Sequence, residues 1–179
     1  YSKWGLSDKR SLSFGHGPMT TNLAQLARAY LIFANDGALP SLKLIKNTYD
    51  DQMQQVFTPE STQRITEILD SVVSMKGSGY RAVIDGYEIA GKTGTAEMVI
   101  DGKYSKDGAK RTYFVGFSPV INPKYIIAVR IDYPKKCFAS WDPAIKIRCL
   151  GSNSASIAFK KAMERILFND LEIQSKLES

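Results

Sequence analysis

Histidine and cysteine are scarce in this 179-residue sequence, which contains only His16, Cys137 and Cys149 of these two types. Structural zinc sites use about four ligands, mostly Cys and His, so the sequence predicts no such metal site. We also expect no cofactor. Long apolar runs are also lacking, and no stretch approaches the roughly 20 residues that a membrane span needs. The sequence opens on Tyr1, without an initiator Met or a signal peptide, so we expect any membrane anchor to belong only to a longer parent protein.

Acidic residues are outnumbered, with 18 Asp and Glu against 24 Lys and Arg and a formal net charge of +6. The basic residues lie mostly in polar connections between apolar segments, as expected for a solvated surface. Zinc-finger spacing, RNA-binding signatures and basic helices are missing, so a nucleic-acid partner is not predicted. The apolar content of 44% indicates one globular domain with a sizeable core.

Three segments show the i, i+3, i+4, i+7 spacing of apolar residues that predicts an amphipathic helix. The first lies within residues 20–37, with Thr and Asn at its start and Asn35-Asp36-Gly37 at its end. The second begins at Thr58-Pro59, a capping residue followed by a proline in the first turn, and ends at the glycines of residues 77–79. The third begins at about Ser154.

Three strands are predicted between the second and third helices, at residues 87–99, 111–120 and 125–133. Short polar links join them, which favours an antiparallel meander because a short link cannot make a parallel crossover. Helices packed on such a sheet give an α+β fold. We expect an ordered body over residues 1–168, followed by a polar tail, residues 169–179, that frays.

Residues 86–98, GYEIAGKTGTAEM, contain two motifs that point to different enzymes. From Gly86 they spell G-x-x-x-x-G-K-T, the pattern of a nucleotide-binding P-loop, over residues 86–93. A P-loop needs small residues inside the loop and a helix after the lysine. Here the interior, residues 87–90, is bulky, and Lys92 is followed by two β-branched residues and a glycine. A P-loop nucleotide hydrolase is therefore kept only as an alternative.

From Lys92 the same residues spell K-T-G-T, the lysine motif of enzymes that acylate a serine with β-lactams or cell-wall peptides. That motif requires a strand, which the flanking residues predict. On a strand, Lys92 and Gly94 point to one side and Thr93 and Thr95 to the other. Two hydroxyls on one face suit a substrate carboxylate, and Gly94 lets a peptide approach the backbone closely.

Several separate blocks carry a wider family resemblance. They are SFGHGPMTTNLAQLARAYLIFANDG, GYRAVIDGYEIAGKTGTAE, YFVGFSPV followed by YIIAVRIDYP, and GSNSASIAFKKAMERIL. Together, over roughly residues 11–168, they resemble the carboxyl-terminal half of the transpeptidase domain of a class B penicillin-binding protein, most closely the septal, cell-division type. Residues 1–168 would then be the carboxyl-terminal part of that domain.

The resemblance implies a D,D-transpeptidase that cross-links peptidoglycan through a serine acyl-enzyme. Its expected partners are stem peptides ending in D-Ala-D-Ala, β-lactam antibiotics and cell-division proteins. Its expected location is the periplasmic face of the bacterial inner membrane, with the parent anchored by an N-terminal segment that is not in this chain. A non-catalytic module of the same family, which only binds division proteins, is a further alternative.

The family pattern also implies roles for particular residues. Lys92 would orient the serine of an S-x-N motif, the hydroxyls of Thr93 and Thr95 would bind the substrate carboxylate, and the backbone N–H of Thr95 would be an oxyanion donor. Phe14 and His16 would line the substrate cleft. The family's nucleophile motif S-x-x-K and its S-x-N motif do not occur in this sequence. We therefore expect about half of a catalytic domain, inactive on its own.

The two cysteines flank one irregular segment within residues 134–151. From the residues alone, a disulfide and two unrelated buried thiols are equally open. The oxidising compartment that the resemblance implies favours a Cys137–Cys149 disulfide. The segment is longer than in related proteins and contains Phe138 and Trp141, so we expect a flap over the cleft or a partner contact.

Overall fold

The computed structural model of the chain describes residues 5–17, 19–43, 45, 53–100, 102–105 and 108–177. Its helices are α1 (Leu6–Leu12), α2 (Leu23–Ala34), α3 (Pro59–Val72) and α4 (Ala155–Leu177). Its strands are β1 (Ala38–Pro40), β2 (Met53–Gln55), β3 (Ala90–Glu97), β4 (Val99–Ile100), β5 (Lys103–Tyr104), β6 (Lys110–Ser118) and β7 (Tyr125–Asp132). Two 3₁₀ turns, Tyr80–Ala82 and Gly151–Asn153, complete these elements.

The predicted helix starts are confirmed in detail. The Asn22 side chain accepts a hydrogen bond from the Gln25 N–H at 2.8 Å, which caps α2. Thr58 accepts one from the Ser61 N–H at 3.2 Å, with Pro59 in the first turn of α3. Side-chain acceptors of this kind satisfy N–H groups that have no partner within the helix.

The tail differs from its expectation. Helix α4 continues past Phe168 to Leu177, so its backbone does not change at the predicted boundary. Residues 169–177 contain neither Gly nor Pro, and several of them are good helix formers, which lets the helix continue although its apolar pattern has ended. Residues 178 and 179 lie outside the described residues.

The sheet confirms the α+β class and the antiparallel meander. Strands β3, β6 and β7 lie in that order, each antiparallel to the next, with Lys92 opposite Val115 and Val115 opposite Ala128. Two small pairings, β1 with β2 and β4 with β5, were not predicted from the sequence. Each of these strands has only two or three residues, too few to show a periodic pattern.

The P-loop interpretation of residues 86–93 is wrong. Lys92 lies inside β3, which continues to Glu97, so no helix begins after the lysine. A P-loop needs that helix, because the positive end of the helix faces the phosphates.

The two faces of the three-stranded sheet carry different cores. On one, the α4 face, Phe114 and Phe159 are fully buried, and their ring centroids lie 4.5 Å apart. On the other, the α2/α3 face, a smaller cluster contains Leu69 and Phe117. Successive residues of β3 alternate between these faces, so the fold itself decides which side chains of K-T-G-T point to which core.

The predicted disulfide is confirmed. Cys137 and Cys149 are bonded with their Cα atoms 5.3 Å apart, and they close what we call the disulfide hairpin, residues 137–149. Within it the Ala139 N–H donates to the Ile145 carbonyl and the Ile147 N–H to the Cys137 carbonyl, each at 2.9 Å. The hairpin is therefore held by backbone pairing as well as by the disulfide.

Candidate active site

Strand β3 lies at an edge of the sheet. It pairs with β6 on one side, and on its other side no strand among the described residues pairs with it. Just past its end, the Met98 N–H donates to the Ala109 carbonyl at 2.9 Å. Because backbone groups alternate in direction along an antiparallel strand, the N–H and C=O groups of Thr93 and Thr95 face the open edge. This edge can accept the backbone of a further strand.

The two threonine side chains lie on the α4 face, as the predicted alternation requires, and each already has a neighbour. The hydroxyl oxygens of Thr93 and Ser78 are 3.2 Å apart. The Gly151 N–H donates to the Thr95 hydroxyl oxygen at 2.9 Å. A hydroxyl that accepts a hydrogen bond keeps its own hydrogen. Thr95 can therefore still donate to a ligand.

Lys92 points to the opposite face and is exposed. Its Nζ donates to the Thr93 carbonyl oxygen at 3.0 Å, and that carbonyl faces the open edge. The ammonium group is thus held beside the same edge as the Thr93 and Thr95 amides. Positive charge and outward N–H groups together favour a ligand that brings negative charge to this edge.

A close backbone contact fixes the α4 side of β3. A Cβ atom added to Gly151 would lie 2.6 Å from the Gly94 carbonyl oxygen and 2.9 Å from the Tyr113 carbonyl oxygen. Only glycine allows this approach, since those neighbours are backbone atoms of two paired strands. The contact places the Gly151 N–H against Thr95.

Sequence reasoning missed Ser78 and Gly151 as neighbours of the motif. Ser78 was assigned only to the end of the second helix, whereas it lies beside Thr93. Gly151 ends the irregular segment that contains the two cysteines, and the unusual length of that segment was the one available signal. Contacts between residues 56 positions apart, such as that of Thr95 with Gly151, leave no periodic trace in a sequence.

The structure does not bring Phe14 and His16 to this site. Phe14 is 68% exposed, its ring centroid lies 5.3 Å from that of His16, and α1 has no buried residue. Within the described residues, no hydrogen bond or ring contact joins either of them to β3. Their place in a substrate cleft stays a prediction.

The disulfide hairpin is tied to the segment that contacts Thr93. Arg81 donates from Nη2 to the Phe138 carbonyl oxygen at 2.8 Å, and the Tyr80 hydroxyl donates to Ser140 Oγ at 3.3 Å. Trp141, 76% exposed, lies near the turn of the hairpin. The hairpin is thus held by Tyr80 and Arg81, which follow Ser78, the neighbour of Thr93, by two and three residues.

In the described parts of the chain, no group of three or more His, Cys, Asp or Glu side chains is arranged to hold a metal ion. Of the helices described, none combines the length and the apolar character that crossing a bilayer requires.

Comparison with known proteins decides the family. The model of the penicillin-binding protein transpeptidase domain matches residues 1–160. The chain belongs to this family. It is 38% identical over 136 residues to the probable peptidoglycan D,D-transpeptidase PbpC of Pseudomonas aeruginosa, covering 76% of this chain and 24% of that protein. It is 36% identical over 170 residues to the peptidoglycan D,D-transpeptidase FtsI of Buchnera aphidicola, covering 92% of this chain and 27% of that protein.

The fold is also similar to a solved structure of this family. The transpeptidase domain of penicillin-binding protein 3 from Burkholderia pseudomallei is similar with a TM-score of 0.79 and 28% identity, over 93% of this chain and 47% of that one. The chain therefore spans about a quarter of the length of its curated relatives and about half of a solved transpeptidase domain.

Proposed function

We propose that this chain supplies the substrate-binding strand of a serine D,D-transpeptidase that cross-links peptidoglycan stem peptides and is acylated by β-lactams. The observation that carries the proposal is the open edge of β3, where the N–H groups of Thr93 and Thr95 face outward beside the Lys92 ammonium. The relatives named peptidoglycan D,D-transpeptidases support it.

The donor peptide adds to this edge as an antiparallel strand. Its scissile carbonyl oxygen lies against the Thr95 N–H, which donates to the oxyanion as negative charge develops there. The Thr95 hydroxyl accepts a hydrogen bond from the Gly151 N–H and donates its own hydrogen to the terminal carboxylate of the peptide. The Thr93 side chain lies on the same face of the strand. Lys92 adds positive potential and orients the serine of an S-x-N motif.

The nucleophile comes from a segment that this sequence does not contain, since S-x-x-K is missing from it. The serine hydroxyl of that segment attacks the carbonyl between the two terminal D-alanines. The C–N bond breaks, D-alanine leaves with the proton, and an ester to the serine remains. An amine of a second stem peptide then attacks the ester, forms the cross-link and regenerates the serine. Without that segment these 179 residues are inactive.

We further propose that the parent protein works in septal peptidoglycan synthesis at the periplasmic face of the bacterial inner membrane, with an anchor outside this sequence and cell-division proteins as partners. The support is the resemblance of its sequence blocks to septal members of the family. The Cys137–Cys149 disulfide fits an oxidising compartment.

Acylation of the full-length protein by a fluorescent penicillin tests the catalytic proposal. We expect a covalent adduct, seen by intact-mass spectrometry, and a loss of roughly 100-fold or more in acylation rate for Lys92→Ala, the scale for removing one transition-state donor. The exposed Lys161 of α4 provides a matched control, and Lys161→Ala should acylate like the wild type.

A second pair of variants separates the roles of the Thr95 backbone and side chain. Thr95→Val keeps the N–H and removes the hydroxyl, so it should weaken carboxylate recognition. Thr95→Pro removes the N–H and should abolish acylation. Full-length protein that binds penicillin reversibly, without any adduct, would instead support the non-catalytic module.

A further inference from the structure

A cleft lies at the Glu97 end of the sheet, beyond the K-T-G-T residues. Its volume is about 520 Å³. Glu97, Lys110 and Tyr133 line it from the ends of the three strands, and residues 146–149 of the disulfide hairpin line its other wall. None of these residues has a role in the transpeptidase chemistry described above.

The charges on the cleft wall are unbalanced. Among the described residues that line it, four are cationic, Lys110, Lys135, Lys146 and Arg148, and one is a carboxylate. That carboxylate, Glu97, is paired with Lys110 at 3.5 Å. The other three cations have no ion-pair partner within the described ranges. A cluster of positive charges that lines a concave surface raises the local concentration of anions.

The cleft also offers apolar surface. Tyr133, Pro134 and Ile147 line it together with the cations. This mixture suits a peptide side chain that carries a carboxylate on an aliphatic stem.

The strand geometry connects the cleft to the proposed reaction. Thr95 and Glu97 lie on the same face of β3, two residues apart, which is about 7 Å along a strand. An antiparallel peptide whose scissile carbonyl lies at Thr95 runs in the amino-terminal direction toward Glu97. The residues that precede its D-alanines therefore arrive at the cleft.

We propose that this cleft binds a free carboxylate on the donor peptide, upstream of the D-alanine pair, and so makes the enzyme prefer acidic donors to amidated ones. This inference rests on the proposed function. Lys146 and Arg148 are the main contacts, because both line the cleft from residues 146–149 of the disulfide hairpin, which are held in place. The disulfide and the hydrogen bond from the Ile147 N–H to the Cys137 carbonyl fix the position of these residues.

A matched pair of donors tests the proposal on the full-length protein. The two synthetic ester donors are identical except that one upstream side chain carries a carboxylate in the first and a carboxamide in the second. Acylation rates are followed by intact-mass spectrometry. At low salt we expect the acidic donor to react roughly three- to tenfold faster, the scale of one or two partly exposed ion pairs. This ratio should fall toward one as ionic strength rises.

Variants of the cleft residues test which side chains cause the preference for the acidic donor. In the double variant Lys146→Gln/Arg148→Gln the ratio should approach one, whereas Lys161→Gln on α4 should keep the wild-type ratio. Cys137→Ser/Cys149→Ser should lower the ratio in part, because residues 146–149 are then no longer held by the disulfide. Thermal unfolding midpoints report whether each variant is folded, and the salt dependence of the wild type needs no variant.

The outcomes separate the two proposals. Equal rates for both donors, or a preference that survives Lys146→Gln/Arg148→Gln, would overturn the carboxylate site and leave the transpeptidase standing. Absence of an acyl adduct with either donor would overturn the proposed function and this inference with it.

Discussion

The α4 face and the α2/α3 face of the same sheet differ in how they are covered. The core of the α4 face extends from the 3₁₀ turn at Tyr80–Ala82 along α4, and Phe114, Phe159 and Met163 are fully buried there. The α2/α3 face has its smaller cluster only at the Ala90 end. At its other end the side chains of Arg111, Arg130 and Asp132 form ion pairs instead.

The two faces therefore support different parts of the candidate site. Thr93 and Thr95 point to the better packed face, where Ser78 and Gly151 contact them. Lys92 points to the other face and is exposed. The residues proposed to hold the substrate by fixed hydroxyls and amides are thus supported by the larger core, whereas the Lys92 ammonium is held by a hydrogen bond to the Thr93 carbonyl oxygen.

Two phenylalanines on one strand give the strongest test of this comparison. Phe114 and Phe117 are both fully buried on β6 but belong to opposite faces. Truncation of a buried Phe to Ala costs about 3–5 kcal/mol. We expect Phe114→Ala to lie near the top of that range and Phe117→Ala near the bottom, because Phe117 has fewer buried neighbours. Urea unfolding gives the free energy of unfolding for both, and equal losses would contradict the comparison.

The contact between Gly151 and β3 gives the next largest effect. In Gly151→Ala the new Cβ would lie 2.6 Å from the Gly94 carbonyl oxygen, which cannot move without disturbing the strand pairing. We expect a loss of about 1–3 kcal/mol, the usual cost of overpacking. In this variant the amide of residue 151 should exchange its hydrogen faster than in the wild type, because its hydrogen bond to the Thr95 hydroxyl oxygen is weakened.

Gly5→Ala is the control for this substitution. There the added Cβ would be 3.5 Å from the nearest atom, an Asp8 carboxylate oxygen, at ordinary van der Waals distance. Unchanged stability in Gly151→Ala would show that residues 151–153 do not support β3.

The sequence predicted the parts of this architecture that depend on local pattern. The caps at Asn22 and Thr58 and the meander of β3, β6 and β7 follow from capping chemistry, alternation and short links. Lys92 could be placed on a strand because β-branched residues and a glycine follow it.

Other features depend on contacts between distant residues, which no local pattern encodes. The neighbours of Thr93 and Thr95 come from the loop that follows α3 and from the 3₁₀ turn that precedes α4. The cationic cleft needs three strand ends and the disulfide hairpin to meet. The end of α4 at Leu177 was not predicted for a different reason. Residues after Phe168 still favour a helix, although the helical spacing of apolar residues has ended there.

The ion pairs at the Asp132 end of the α2/α3 face give the smallest effect on stability, and this effect depends on pH. Asp132 accepts hydrogen bonds from Arg130 and from Arg111, whose Nε atoms lie 2.8 and 2.9 Å from its Oδ1. The bonds from Arg130, then those from Arg111, hold the pKa of Asp132 well below its ordinary value. A lowered pKa in the folded state stabilises the fold above the unfolded carboxyl pKa, about 3.9, and this contribution is lost as pH falls below that value.

Asp132→Asn should therefore lower the free energy of unfolding at pH 7 by about 1 kcal/mol or less, since these pairs are partly exposed. The difference from the wild type should shrink as the pH falls below about 4. Urea unfolding at pH 7 and pH 3 measures both values, with the exposed Asp85→Asn as the matched control. If the loss is the same at both pH values, the carboxylate charge does not stabilise this end of the sheet, and the α2/α3 face is held by its apolar cluster alone.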